Sequence, residues 1–121
     1  MEDREKEIIL KAVHGDKEEV LQEQHASIEK EIADRKRIDS EVKERIDQDI
    51  VEVDTAVMQA QPGNSDEVIT LSKERLDLSK EKREEERECW KDIQDLKEEQ
   101  RGVEKDLLTT EKKKERFTQI L

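Results

Sequence analysis

The only proline of this 121-residue chain, Pro62, lies almost at its midpoint and is followed by one of just three glycines, Gly63. Proline cannot continue a helix, because it lacks an amide donor and clashes with the preceding turn. Gly63 and Asn64 both tolerate left-handed backbone angles. The sequence therefore predicts a chain reversal about residues 61–66, with its turn at Pro62, Gly63 and Asn64.

The two arms on either side of this turn have the composition of long helices. Charged residues make up 49% of the chain and apolar residues 31%, with Trp90 and Phe117 as its only aromatics. This is too polar for an ordinary globular core, which leaves long helices or disorder. The scarcity of glycine and proline and the regular spacing of the apolar residues favour helices. Ser65 or Asp66 is expected to cap the second helix.

We therefore predict a first helix over residues 1–60, a turn at 61–66 and a second helix over 67–121. These segments form one structural unit, which can be a fragment of a longer chain.

Apolar residues on both arms recur in alternating steps of three and four, a spacing typical of a coiled-coil seam. Arg35 and Asp39 fill a gap in the seam of the first arm, and every residue from 80 to 88 is charged. The charged interval predicts either a stutter in the heptad or a short helix supported by its own ion pairs. The predicted seam consists of Leu21, Ile28, Ile32, Val42, Ile46, Val53, Val57, Val68, Leu71, Leu78, Cys89, Ile93, Leu96, Val103, Leu107 and Phe117.

The predicted fold is all-α, with two long helices forming an antiparallel coiled-coil hairpin about residues 61–66. In that hairpin, residue i faces roughly residue 126 minus i. Because two helices bury only a thin seam, we expect hairpins to associate further into a dimer or a four-helix arrangement. The alternative is a long parallel coiled-coil dimer with a kink at Pro62.

Catalytic and cofactor chemistry is not expected from these residues. Two packed helices offer no concave pocket in which a nucleophile, a base and an orienting group converge, so we predict no enzyme activity. His14 and His25 lie about 16 Å apart along a helix, too far to share one metal ion. No glycine-rich phosphate loop or calcium loop is present, so neither a metal nor a cofactor is predicted.

The net charge of −11 disfavours nucleic acid and anionic membranes as partners. The longest uncharged stretches are also shorter than the roughly 20 residues of a membrane-spanning helix. The basic cluster at residues 112–116 is expected to be a solvated face near a helix C-terminus.

Cys89 and Trp90 are the two side chains with alternative interpretations. A single cysteine cannot form an intramolecular disulfide, which favours a reducing compartment: the cytoplasm or, alternatively, the nucleus. At its seam position, Cys89 acts either as a small buried apolar residue or as a reactive thiol. Trp90 lies beside the seam, where it either covers the edge of the bundle or anchors a partner protein.

These features predict a non-enzymatic coiled-coil scaffold or adaptor that mediates protein–protein association. Examples are cytoskeletal, ciliary, tethering or multi-subunit assemblies, with partners that pack helix against helix in a homo- or hetero-oligomer. The alternative is a regulatory docking module for a specific partner, such as a small GTPase, a motor or a client protein. Such a module can fold only when its partner arrives.

Overall fold

A computed structural model describes residues 16–120 of the chain. Helix α1 spans Asp16–Gln59 and helix α2 spans Ser65–Ile120. The two pack against each other as an all-α helical hairpin, which confirms the predicted fold class. The alternative, a long parallel coiled-coil dimer with a kink at Pro62, is therefore wrong. The predicted helical residues 1–15, with His14 among them, and Leu121 lie outside the described residues.

The reversal between the helices is a tight turn centred on Pro62 and Gly63. The amide of Asn64 donates a hydrogen bond to the carbonyl oxygen of Gln61 at 3.1 Å. Gly63 has a φ of +94°. Proline followed by a residue of positive φ is the sequence pattern of a type II turn. Pro62 presets the backbone angle that the turn needs, and Gly63 has no Cβ to clash in the left-handed region.

The cap of α2 is Asn64, so the expectation that Ser65 or Asp66 would cap this helix is wrong. The Asn64 carbonyl oxygen accepts the first helical hydrogen bond from the amide of Val68 at 3.3 Å. The side-chain Oδ1 of Asn64 accepts a hydrogen bond from the amide of Glu67 at 3.4 Å. The Nδ2 of Asn64 donates a hydrogen bond to Glu67 Oε2 at 2.9 Å. The turn is compact enough that α2 begins directly after Asn64, whose side chain then completes a form of capping box.

Replacing Gly63 by alanine is expected to destabilise the hairpin by about 1–2 kcal/mol, because a Cβ in the left-handed region costs that much. The matched control is Gly102→Ala in the interior of α2, where an added methyl group meets no atom within 4 Å. This control should stabilise the helix by about 1 kcal/mol. Urea denaturation followed by circular dichroism measures both changes. Equal effects of the two substitutions would contradict the positive φ of Gly63.

By their contacts, residues 34–93 form one compact unit, and residues 16–33 together with 94–120 form another. The unit of residues 34–93 contains the turn, and its buried apolar side chains are Ile46 and Cys89. Its core is a line of single residues, as the packing of only two helices dictates.

The unit of residues 16–33 and 94–120 has a small apolar cluster at its centre. Thr110 is also buried in this unit, and its hydroxyl group donates a hydrogen bond to the carbonyl oxygen of Asp106 at 2.8 Å. The cluster consists of buried Leu21, Ile28 and Val103, with partly buried Ile32, Leu96 and Leu107 packed against them.

Candidate interaction surfaces

The predicted seam residues lie along the line where α1 and α2 meet. All of them are buried or half-buried except Phe117, which is 39% exposed. Arg35 and Asp39 also lie half-buried in this line, as their place in the heptad predicts. Sequence periodicity therefore locates the contact line, but it leaves open which residues pair across it.

Polar contacts between the helices follow a register that differs from the predicted one by three residues. In five of these contacts the two residue numbers add up to 129, where the sequence predicted a sum of roughly 126. The direction of this offset is expected, because side chains in a helix lean toward its N-terminus and so toward higher partner numbers in an antiparallel pair. The five contacts are His25–Glu104, Glu29–Gln100, Lys43–Glu86, Asp47–Lys82 and Asp54–Arg75.

An ion-pair layer fills the gap that Arg35 leaves in the apolar seam of α1. Arg35 Nη1 donates to Glu85 Oε1 at 2.7 Å, and Arg35 Nε donates to Asp92 Oδ2 at 2.8 Å. The side chains of Arg35 and Glu85 are only 17% and 15% exposed. The hydrogen bonds that Arg35 donates, first to Glu85 and then to Asp92, raise the pKa of Arg35 above its already high value. Arg35 is therefore a cation at neutral pH.

The charged interval at residues 80–88 pairs with α1, so of the two alternatives the short helix supported by its own ion pairs is wrong. Lys82 Nζ lies 2.8 Å from Asp47 Oδ1, and Glu86 Oε1 lies 3.6 Å from Lys43 Nζ. Helix α2 continues without interruption through the interval. The buried or half-buried residues Glu85, Cys89 and Ile93 are separated by two successive steps of four residues, where a regular heptad alternates steps of three and four. This is a stutter, the other alternative that the sequence predicts.

Cys89 is buried beside Asp39. Burial is the main factor that raises the pKa of its thiol, the Asp39 carboxylate adds to this effect, and Arg35 opposes it. Asp39 Oδ1 is itself buried and has no hydrogen-bond partner within residues 16–120. A thiol with a raised pKa is protonated at neutral pH and a poor nucleophile, which favours the interpretation of Cys89 as a small apolar seam residue.

We expect iodoacetamide to alkylate Cys89 at least about tenfold more slowly in the folded chain than in the chain unfolded by urea. The raised pKa also has a pH signature: the rate for the folded chain should still be rising at a pH where the rate for the unfolded chain has levelled off. Mass spectrometry over a time course measures both. A folded chain that reacts as fast as the unfolded one would contradict the burial of Cys89.

Trp90 projects from α2 with 67% of its surface exposed, so it does not cover the edge of the hairpin. Exposed Ile69 and Leu76 lie seven residues apart, and Trp90 follows fourteen residues after Leu76. Because each comes one position after a residue that faces α1, the three share one side of α2. We call Ile69, Leu76 and Trp90 the outer stripe.

A groove of about 500 Å³ runs between α1 and α2 within residues 34–93. Its floor is apolar and half-buried, formed by Val53 and Ala56 of α1 and by Leu71 and Leu78 of α2. Every other side chain that lines it is a carboxylate. We call it the acidic groove, and its rim consists of Asp49, Glu52, Glu74, Asp77 and Glu81.

Sequence reasoning missed the acidic groove, although two signals for it are present. No lysine or arginine occurs between residues 46 and 72, which makes this stretch unlike the charge-interleaved remainder of the chain. Glu74 and Glu81 are also seven residues apart and lie beside the seam. Together these patterns indicate an acidic strip along one side of the hairpin.

The remaining candidate residues make polar contacts with the opposite helix. His25 Nε2 lies 3.0 Å from Glu104 Oε1. In the basic cluster at residues 112–116, which is exposed, Lys114 Nζ lies 3.9 Å from Glu18 Oε2. Within the described residues no group of three or more histidine, cysteine, aspartate or glutamate side chains has the arrangement of a metal site.

These contacts define a coiled-coil hairpin whose two candidate binding surfaces are the outer stripe and the acidic groove. Neither helix, over the part of the chain that the structure describes, is long and apolar enough to cross a membrane. No protein-family model, no curated protein and no solved structure matches this chain.

Proposed function

We propose that this chain is a non-enzymatic coiled-coil scaffold or adaptor segment that mediates protein–protein association. The observation that carries the proposal is the outer stripe, which leaves Ile69, Leu76 and Trp90 exposed on one side of α2. Monomeric proteins seldom align large apolar side chains on a surface without a use for them, and tryptophan is enriched where partners bind.

The thin core of the hairpin supports the same proposal. Only six residues are buried among those described, and Thr110 is one of them. Association would cover further apolar surface and add the stabilisation that two helices alone lack. The assembly is a homo- or hetero-oligomer of the kind found in cytoskeletal, ciliary, tethering or multi-subunit complexes. The buried thiol of Cys89 suits a reducing compartment, so we place the chain in the cytoplasm, with the nucleus as the alternative.

Sedimentation equilibrium combined with circular dichroism on the full chain tests this proposal. We expect a largely helical chain whose mass exceeds that of one copy, and we expect Trp90→Ala to shift it toward the single-copy mass. The matched control is Val51→Ala, because Val51 is also exposed but lies on α1 and not on the outer stripe. A largely nonhelical single copy contradicts the scaffold and favours the alternative, a docking module that folds onto a specific partner.

A further inference from the structure

We propose that the acidic groove is a docking site for a cationic amphipathic helix of a different protein. The inference rests on the proposed function and names the chemistry of one partner.

The floor of the acidic groove has the form that a third helix needs. Leu71 and Leu78 are seven residues apart on α2, and Val53 lies on the facing side of α1. The short side chain of Ala56 lets another helix approach closely. A helix with apolar residues at three- and four-residue spacing could lay its apolar face along this floor, as helices do in grooves of other proteins.

The rim of the acidic groove specifies the charge of that helix. None of its five carboxylates takes part in an ion pair or a side-chain hydrogen bond within residues 16–120. Two nearby acids that do not line the groove are paired, Asp47 with Lys82 and Asp54 with Arg75. The hairpin thus neutralises these two acids and leaves all five at the rim of the groove for cations from elsewhere. Lysine or arginine side chains flanking the apolar face of a partner helix would meet them.

The same charge argues against a second copy of this hairpin as the occupant. Two acidic grooves face to face would bring ten carboxylates together with no lysine or arginine among the lining residues. Like charges across an interface suppress association. Self-association through the outer stripe leaves the groove open, so the two surfaces can serve different partners.

The test measures binding of two synthetic probes to the full chain by fluorescence anisotropy. The first is a labelled helical peptide of about 21 residues, or three heptads, with leucine at its a and d positions and lysine at its e and g positions. The second carries glutamate in place of every lysine. We expect the lysine peptide to bind, with an affinity that falls as salt is added, and the glutamate peptide not to bind.

Two pairs of variants locate the binding site. Glu74→Lys with Asp77→Lys reverses two rim charges and should weaken binding of the lysine peptide by at least about tenfold. Its control, Glu98→Lys with Glu111→Lys, changes the net charge equally at exposed positions outside the groove and should weaken binding by less than about threefold. Ala56→Leu fills the floor and should also weaken binding, whereas Ala26→Leu, at an exposed position of α1, should not. Circular dichroism verifies that each variant keeps its helices.

Three results would overturn the docking site: equal weakening by the two charge variants, equal binding of the two peptides, or no effect of Ala56→Leu. Self-association of the native chain that the rim variant abolishes would also overturn it, because a second copy would then occupy the groove. A chain that self-associates through Trp90 but does not bind the lysine peptide refutes the docking site and leaves the proposed function standing. A nonhelical single copy refutes the proposed function instead.

Discussion

Ile28→Ala is expected to lower the free energy of unfolding by about 2–4 kcal/mol. Ile28 is only 5% exposed and forms a buried cluster with Leu21 and Val103. The substitution removes three carbon atoms from the cluster, and the lost burial adds to the cavity left behind. In a chain of this size, such a change lowers the midpoint of thermal unfolding by roughly 10 °C. Thermal and urea denaturation followed by circular dichroism measure the effect.

The matched control for this prediction is Val20→Ala. Val20 also lies on α1 but is 51% exposed, so its truncation should change the free energy of unfolding by no more than about 0.5 kcal/mol. If the two substitutions destabilise the chain equally, Ile28 does not face α2 and the seam is placed wrongly.

Arg35→Leu is expected to destabilise the hairpin by about 2–3 kcal/mol, although leucine suits a coiled-coil seam better than arginine does. The reason is that Glu85, which is only 15% exposed, would lose the guanidinium that now binds it and be left without a partner in a largely buried place. Asp92 is about half exposed, so water replaces much of its lost contact. The exposed ion pair of Arg37 with Glu41 provides the control, and Arg37→Leu should cost at most about 0.5 kcal/mol.

The double variant Arg35→Leu with Glu85→Leu separates the cost of an orphaned charge from the worth of the ion pair. We expect it to recover most of the stability lost in Arg35→Leu, because a buried pair replaced by apolar residues of similar size is often neutral or stabilising. Urea denaturation of both single variants and the double variant gives the coupling energy. If the double variant is as unstable as the sum of the singles, Arg35 and Glu85 do not interact.

Short-range rules account for most of what could be predicted from sequence. Pro62 cannot continue a helix and Gly63 tolerates a positive φ whatever surrounds them, so the position of the turn follows from the two residues alone. The heptad spacing likewise identifies the face of each helix that must leave water, since this depends only on the helical period. The sequence alone predicts the cap one or two residues too late, because the choice among Asn64, Ser65 and Asp66 depends on the exact end of the turn.

Charged side chains were much less predictable than apolar ones. Lys82 and Glu86 looked able to pair within α2, and their partners on α1 emerge only when the two helices are set side by side. Long polar side chains have several rotamers of similar energy, so the nearest opposite charge decides the outcome, and that depends on the register between helices. Of the outer stripe, the sequence alone indicates only Trp90, because the exposure of a side chain is a property of the two packed helices.

The amino-acid sequence by itself determined two helices, a reversal at Pro62 and Gly63, and a narrow apolar line along each helix, because backbone angles and helical period are local properties. Only the tertiary structure decided the register in which paired residue numbers add up to 129, the Arg35–Glu85–Asp92 layer and the gathering of five carboxylates at the rim of the acidic groove. These depend on distances between residues far apart in the chain, and a charge has no partner until folding brings one within reach.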